Sequence, residues 1–172
     1  LSSYRSQLGK STSKVAQYLD LVALGTYADV ASLDYNNRIL VDAGVKRIQQ
    51  NQCRAGISAL LDIAGRDPAQ LKAQDLGFVL GPRVNAAGRM ETMDIGIECL
   101  LAQDMQTAYP LAQQLNDLNV ERRQVELQMK QQALVELEKL QLDQQHLPAT
   151  LVMFNEHWHQ GVIGIVAGRL KE

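Results

Sequence analysis

Aromatic residues make up only 5% of this 172-residue chain. So few rings argue against the extended base-stacking surfaces with which single-strand-binding proteins coat nucleic acid. A basic excess is also missing: 17 Lys+Arg face 19 Asp+Glu, for a net charge of −2. Proteins that coat nucleic acid are normally basic, so any such contact here has to be a local patch. The two cysteines, Cys53 and Cys99, stand alone with no metal-binding spacing. Reduced thiols and a cytoplasmic location are the corresponding expectation. No apolar run reaches the roughly 18 residues that span a bilayer, which predicts no membrane association. The first residues, Leu1-Ser2-Ser3-Tyr4-Arg5, lack the apolar core of a secretory leader. There is no initiator Met, and nothing at Gly168-Arg169-Leu170-Lys171-Glu172 closes a domain, so the sequence reads as an internal fragment of a longer protein. Several catalytic signatures are absent too. No spacing suggests a Ser-His-Asp or Cys-His set, and neither a phosphate-cradling loop nor a dinucleotide-binding glycine signature is present. Internal repeats and low-complexity tracts are lacking as well.

What is present is an ordinary soluble composition, 46% hydrophobic and 21% charged, long enough to bury a real core. Residues 1–8 suit the end of a helix closed by Gly9, and Ser13 suits the N-cap of the next. From Val15 the apolar positions Val15, Leu19, Val22 and Ala23 recur at helical spacing, with Leu21, Leu24 and Val30 widening the stripe. Asp29 follows this apolar segment. An unpaired buried carboxylate is costly, so Asp29 needs a helix N-terminus, an arginine or a metal ion. Asp34 begins a helix running to Gln50. Another covers Gly56–Ala64, which Gly65 ends, and further helices are predicted over Leu71–Leu80 and Ile95–Ala102. From Asp104 to Leu140 only Pro110 interrupts a composition of high helix propensity. Its apolar stripe passes from Leu111, Leu115, Leu118 and Val125 to Leu127, Leu134 and Leu137. That drift suits a connector leaning on two bodies in turn; a solitary core helix or a dimeric coil is the plainer alternative. Ala149–Phe154 is a short apolar run that reads as a buried strand. A polar loop, Glu156–Gly161, and a helix from Val162 to Leu170 follow it, the start of an α/β unit.

The stretch Leu80-Gly81-Pro82-Arg83-Val84-Asn85-Ala86-Ala87-Gly88-Arg89-Met90 is the least generic part of the chain. Small residues permit close approach, and a tight helix crossing with its arginines tied to carboxylates would account for them. Arg83, Asn85 and Arg89 point instead to an anion-binding edge, since guanidinium forks suit phosphate. His157 and His159 are an i, i+2 pair that could hold metal. His159, or the Gly161 backbone near a helix N-terminus, could instead meet a phosphate.

Four stretches resemble one known family: Asp20 to Val30, Asn36-Asn37-Arg38, Leu80 to Met90, and Trp158 to Leu170. It is the RecJ family of single-strand-specific 5′-to-3′ DNA exonucleases, within the DHH phosphoesterase superfamily. The resemblance implies a predominantly helical α/β fragment in three parts. Residues 1–103 would be the C-terminal part of a DHH domain, 104–147 a long connector helix, and 148–172 the beginning of a second α/β domain. It implies Mn2+ or Mg2+ in a two-metal site, with Asp29 on the last acidic motif and most ligands upstream. Such ions activate water and stabilise the leaving oxygen in phosphodiester hydrolysis. It places Arg83, Asn85, Arg89 and His159 against single-stranded DNA. It further implies DNA repair and recombination as the setting, a single-strand-binding protein or helicase as partner, and a monomeric full-length enzyme. The Asp-His-His triplet is absent, Gly168 stands where a serine is common, and one carboxylate cannot hold two metal ions. Residues 1–172 alone are therefore expected to be inactive. The alternatives are a non-catalytic replication scaffold of the same superfamily, or a phosphodiesterase for short oligonucleotides or cyclic dinucleotides.

Overall fold

The computed structural model describes residues 2–9, 13–140 and 149–171. Ten α-helices are found among them, in the order α1 (Ser2–Gln7), α2 (Ser13–Ala16), α3 (Leu19–Ala28), α4 (Tyr35–Gln49), α5 (Ala55–Ile63), α6 (Ala73–Asp75), α7 (Gly81–Met90), α8 (Asp94–Leu101), α9 (Met105–Lys139) and α10 (Ile163–Lys171). A 3₁₀ turn occupies Pro68–Gln70 and a π turn Leu76–Leu80. The helix ends follow local chemistry. Gly9 and Gly65 take φ of 63° and 62°, left-handed conformations that cost glycine little. Asp34 accepts from the Asn37 N–H at 2.8 Å, and Asp104 from the Thr107 N–H at 2.8 Å. These caps satisfy donors that helix starts otherwise leave orphaned. Pro110 lies in the second turn of α9, and the helix continues through it.

Most of the helices share one core. Ile48, Ile57, Leu60, Leu61, Leu76 and Leu80 are fully buried in it, and Ala108, Ala112 and Leu115 bring the first half of α9 into the same cluster. A second, smaller cluster joins Met129 and Ala133 of α9 to Val162 and Val166, with Val125, Met153, Trp158 and Leu170 packed around them. The long helix therefore leans on two bodies in turn, as its drifting stripe implied. The second contact, however, uses Val125, Met129 and Ala133, while Leu127 and Leu134 face solvent. Spacing alone misplaced that face because Leu was weighted above Met and Ala.

Other differences are local. The single helix expected from Val15 is broken at Gln17–Tyr18, and Val30 is a left-handed, exposed residue instead of part of the stripe. Leu71–Leu80 holds only a short helix, Ala73–Asp75, and a π turn, Leu76–Leu80, and the stretch from Gly81 to Met90 is helical. The fold class needs the larger correction. Ala149–Phe154 forms no strand, and no strand occurs among the described residues. Val152 and Phe154 are 87% and 88% exposed. A strand needs a ladder partner for its N–H and C=O groups, and the described residues offer none. His146-Leu147-Pro148, expected to end the connector, lies outside the described residues.

Gly44 seats α4 on α3: a Cβ there would collide with the Leu19 carbonyl and approach the Ala23 Cβ to 2.5 Å. Gly44→Ala should therefore destabilise the fold by about 1–3 kcal/mol, the usual cost of overpacking a close contact. A lower urea midpoint at unchanged m-value would report it; an unshifted midpoint would mean that the crossing is looser than described.

Candidate nucleic-acid interface

The glycine/arginine stretch is built as a helix because its small residues let it lie close to its neighbours. A Cβ on Gly77 would come within 2.8 Å of the Tyr27 ring, and one on Gly81 within 3.0 Å of the Ala28 Cβ. The π turn and α7 thus rest on the C-terminal end of α3. The Gly81 N–H bonds to the Leu76 carbonyl five residues back, so α7 continues from the π turn and exposes no free N-terminus of its own. Ala86 and Ala87 are fully buried. The tight crossing is thus present on one face, with Arg83 and Arg89 bonded to carbonyl and amide oxygens in place of the expected carboxylates, and the other face is polar.

The predicted site residues separate. Arg83 is half-buried, donating from Nη1 to the Val79 carbonyl at 2.7 Å and from Nε to Asn116 at 3.1 Å. It ties α7 to α9. Burial, then the charges of Arg123 and Arg66, lower its pKa. Asn85 and Arg89, by contrast, line an open groove of about 690 Å³ along α7, α9 and α10. Arg122, Arg123, Lys130 and Arg169 line it too, and Glu126 is its one carboxylate. Five cations against one acid make this a local positive field on a chain whose net charge is −2. Sequence reasoning missed the four cations from α9 and α10. Their signal lay in the spacing: Arg122, Arg123, Glu126 and Lys130 recur at three and four residues, one face of a helix.

Glu126 organises this face. It is buried, pairs with Arg122 at 2.7 Å, and reaches Arg169 of α10 with its other oxygen. Arg122 also donates to Asn119 at 3.2 Å, while its Nε is buried without a partner. Burial lowers the Arg122 pKa; Glu126 counters this, and Arg123 and Arg89 add to the lowering. The second tie is at Gly161, where a Cβ would collide with the Arg89 carbonyl. Arg89 Nη1 donates to the Gly161 carbonyl at 3.2 Å, and the Gly161 N–H donates to His159 Nδ1 at 3.1 Å. The Gly161 backbone is thus already engaged. His159 is half-buried with Nδ1 accepting, which leaves Nε2 as its free ring nitrogen. Trp158 closes the loop by donating to Gln132 at 3.0 Å.

Asp29 sits at the C-cap of α3, one residue beyond Ala28, and is exposed. The expectation of a buried carboxylate needing a partner is therefore wrong; water solvates it. The buried carboxylate of α3 is Asp20, which accepts from the Arg54 N–H at 2.9 Å, with the Arg54 guanidinium 3.7 Å away and stacked over Tyr18. It was legible: Asp20 falls three and four residues before the core positions Ala23 and Leu24. Among the described residues no group of three or more His, Cys, Asp or Glu is arranged to hold a metal ion. Asp29 is a suitable hard oxygen donor, but one donor does not make a two-metal site. His157 is exposed beside Glu156 at 3.5 Å, and the His157/His159 pair forms no metal cluster. No helix among the described residues is long and apolar enough to cross a membrane.

The fold and this face define a class: a helical segment in which two apolar clusters, bridged by one long helix, frame a cationic groove. Within that class the likeness is specific. The chain is 50% identical over 167 residues to the single-stranded-DNA-specific exonuclease RecJ of Dickeya dadantii, covering 97% of this chain and 29% of that protein. It is 51% identical to the RecJ of Escherichia coli over 92% of this chain and 27% of that protein. A crystal structure of RecJ bound to manganese superposes with a TM-score of 0.81 at 33% identity, over 96% of this chain and 40% of that one. RecJ of Thermus thermophilus in complex with Mg2+ gives 0.79 at 32% identity, over 96% of this chain and 25% of that one. No protein-family model matches the chain. The resemblance read from the sequence motifs therefore holds: nearly the whole chain is similar to RecJ, and it spans a little over a quarter of the length of those curated relatives.

The Glu126 bridge generates a prediction. Glu126→Gln leaves the largely buried Arg122 and the more exposed Arg169 without their counter-charge, and hydrogen bonds to charged groups are worth about 1.5–3 kcal/mol, less where water reaches them. Amide exchange over Ile163–Lys171 should accelerate about tenfold to a hundredfold while α4 and α5 keep their protection. Unchanged exchange in α10 would show that the apolar cluster alone holds it.

Proposed function

We propose that the chain is part of a metal-dependent exonuclease of the RecJ type, which hydrolyses single-stranded DNA from the 5′ end in repair and recombination. The observation that carries this is the groove, in which Arg89, Arg122, Arg123, Lys130 and Arg169 offset a single carboxylate on a chain that is otherwise acidic. Such a field positions a phosphate backbone and releases its counterions, which makes binding salt-dependent. The likeness to proteins named single-stranded-DNA-specific exonucleases supplies the substrate class.

In this reading residues 1–103 complete a catalytic domain, 104–147 connect it, and 148–172 begin a second domain that closes the groove. Asn85 and Arg89 hold the strand from α7, and His159, on the Gly161 loop beside Arg89 and outside the groove lining, meets it beyond that edge. Arg83 backs them, its guanidinium already bonded to Val79 and Asn116. Asp29 contributes one carboxylate to a Mn2+ or Mg2+ site whose remaining ligands lie in segments outside these 172 residues. When bound, those ions would supply activated water and charge neutralisation. This chain's own part is to bind and orient the strand. Residues 1–172 by themselves are inactive, and the full-length enzyme is a cytoplasmic monomer that meets a single-strand-binding protein or a helicase.

In the full-length protein, Arg123→Ala with Lys130→Ala should weaken binding to single strands and flatten the slope of log K against log salt by about 1.4, twice the roughly 0.7 expected per phosphate contact. An unchanged slope would remove the groove from the DNA path. Arg83→Ala should lower stability whatever its role; a slope unchanged in that variant would leave Arg83 with packing alone. Asp29→Ala should abolish metal-dependent cleavage with the thermal midpoint nearly unmoved, because the side chain is exposed; near-normal turnover would refute the ligand role.

A further inference from the structure

The groove holds one feature that phosphate binding does not use. Phe78 lines it and is 75% exposed, in a chain that has only two phenylalanines. The π turn puts it there. Leu76 and Leu80, two residues to either side, are fully buried in the core, and Gly77 is clamped on the Tyr27 ring. The turn is thereby fixed with Phe78 on its outer side. π turns are rare and concentrate at functional positions. Around Phe78 the groove wall is apolar as well, formed by Pro82, Leu127 and Ile165, while Arg123 and Lys130 stand on the same face. Leu127 is 58% exposed, so two large apolar side chains are kept in water inside a cationic groove.

That pairing narrows the ligand. A simple polyanion would gain nothing from an exposed ring, and an apolar peptide would gain nothing from five cations. A nucleotide strand offers both a phosphate at every step and a flat π face at every base. In a duplex the base faces are stacked on one another and out of reach, so only an unpaired strand can use the ring.

We infer that Phe78 is the platform on which a base of the bound strand stacks, and that this platform makes the groove select single-stranded over duplex DNA. The inference rests on the reading of the groove as the DNA path. Its test is equilibrium binding by the full-length protein with chelator present, so that nothing is cut. The probes are an oligodeoxythymidylate, an all-abasic strand of equal length, and a duplex. Phe78→Ala and Phe78→Leu should each weaken oligodeoxythymidylate binding about five- to a hundredfold, the range for losing one aromatic–base stack. Phe78→Tyr should stay within about twofold of the parent. On the abasic strand all four proteins should bind alike, and the single-strand over duplex preference should shrink in the Ala and Leu variants. Because Phe78 is exposed and Leu keeps its bulk, misfolding does not imitate this pattern. The inference is overturned if Phe78→Ala binds oligodeoxythymidylate within twofold of the parent, or loses as much on the abasic strand. A flattened salt slope in the Arg123/Lys130 variant beside a silent Phe78 would overturn stacking alone; if both are silent, the groove reading falls with it.

Discussion

The arrangement of the groove depends on one buried carboxylate. Arg89, Arg122, Arg123 and Arg169 line the same groove, and like charges so close repel unless something screens them. Water cannot do so for Arg122, whose burial already disfavours its charge. Glu126 does it from within the cluster, one oxygen on Arg122 and the other on Arg169. Burying an ion pair seldom adds net stability against an apolar alternative. The gain here is in position: Arg122 is fixed on α9, Arg169 is drawn to it from α10, and the other cations keep their charge free for a ligand.

The long helix makes this possible over distance. Its first half is part of the larger core through Ala108, Ala112 and Leu115, and its second half carries the smaller cluster through Met129 and Ala133. A continuous helix is stiff over that span, so the two clusters inherit a fixed spacing from α9. The loop at Gly161 adds a second attachment, backbone against backbone at Arg89, where a side chain would not fit. Together they hold a groove with one wall from α7 and another from α10.

Features governed by neighbours in sequence were the legible ones. Asp34 and Asp104 cap as their positions demand, and Gly9 and Gly65 end helices with positive φ. The Leu80–Met90 stretch was legible as special but not as a helix, because its continuity rests on the π turn, an i→i+5 pattern with no distinct sequence period. The strand at Ala149–Phe154 was misread because an apolar run carries no information about a ladder partner. Asp29 and Asp20 were exchanged for the same reason: the apolar segment before Asp29 suggested burial, yet burial is decided by what packs across the helix. Nothing in the local sequence sets Glu126 and its arginines apart from an ordinary solvated helix face. Only the arrival of Arg169 from α10, 43 residues later in the sequence, turns that face into a groove wall.

If the groove holds the strand and Asp29 a metal ion, as proposed, then holding and cutting fall on different parts of the molecule, and there is a physical reason for the separation. Phosphodiester cleavage by divalent ions needs carboxylates converging on one point, and a strand's phosphates avoid such a point unless cations draw them in. A dense positive wall and a dense negative pocket cannot share one short helix without pairing with each other, as Glu126 does with its two arginines. Here the cations occupy α7, α9 and α10, while the exposed carboxylate Asp29 stands at the end of α3, beside the turn on which α7 rests. The tight glycine contacts at Gly77 and Gly81 hold those two regions side by side without letting their charges cancel.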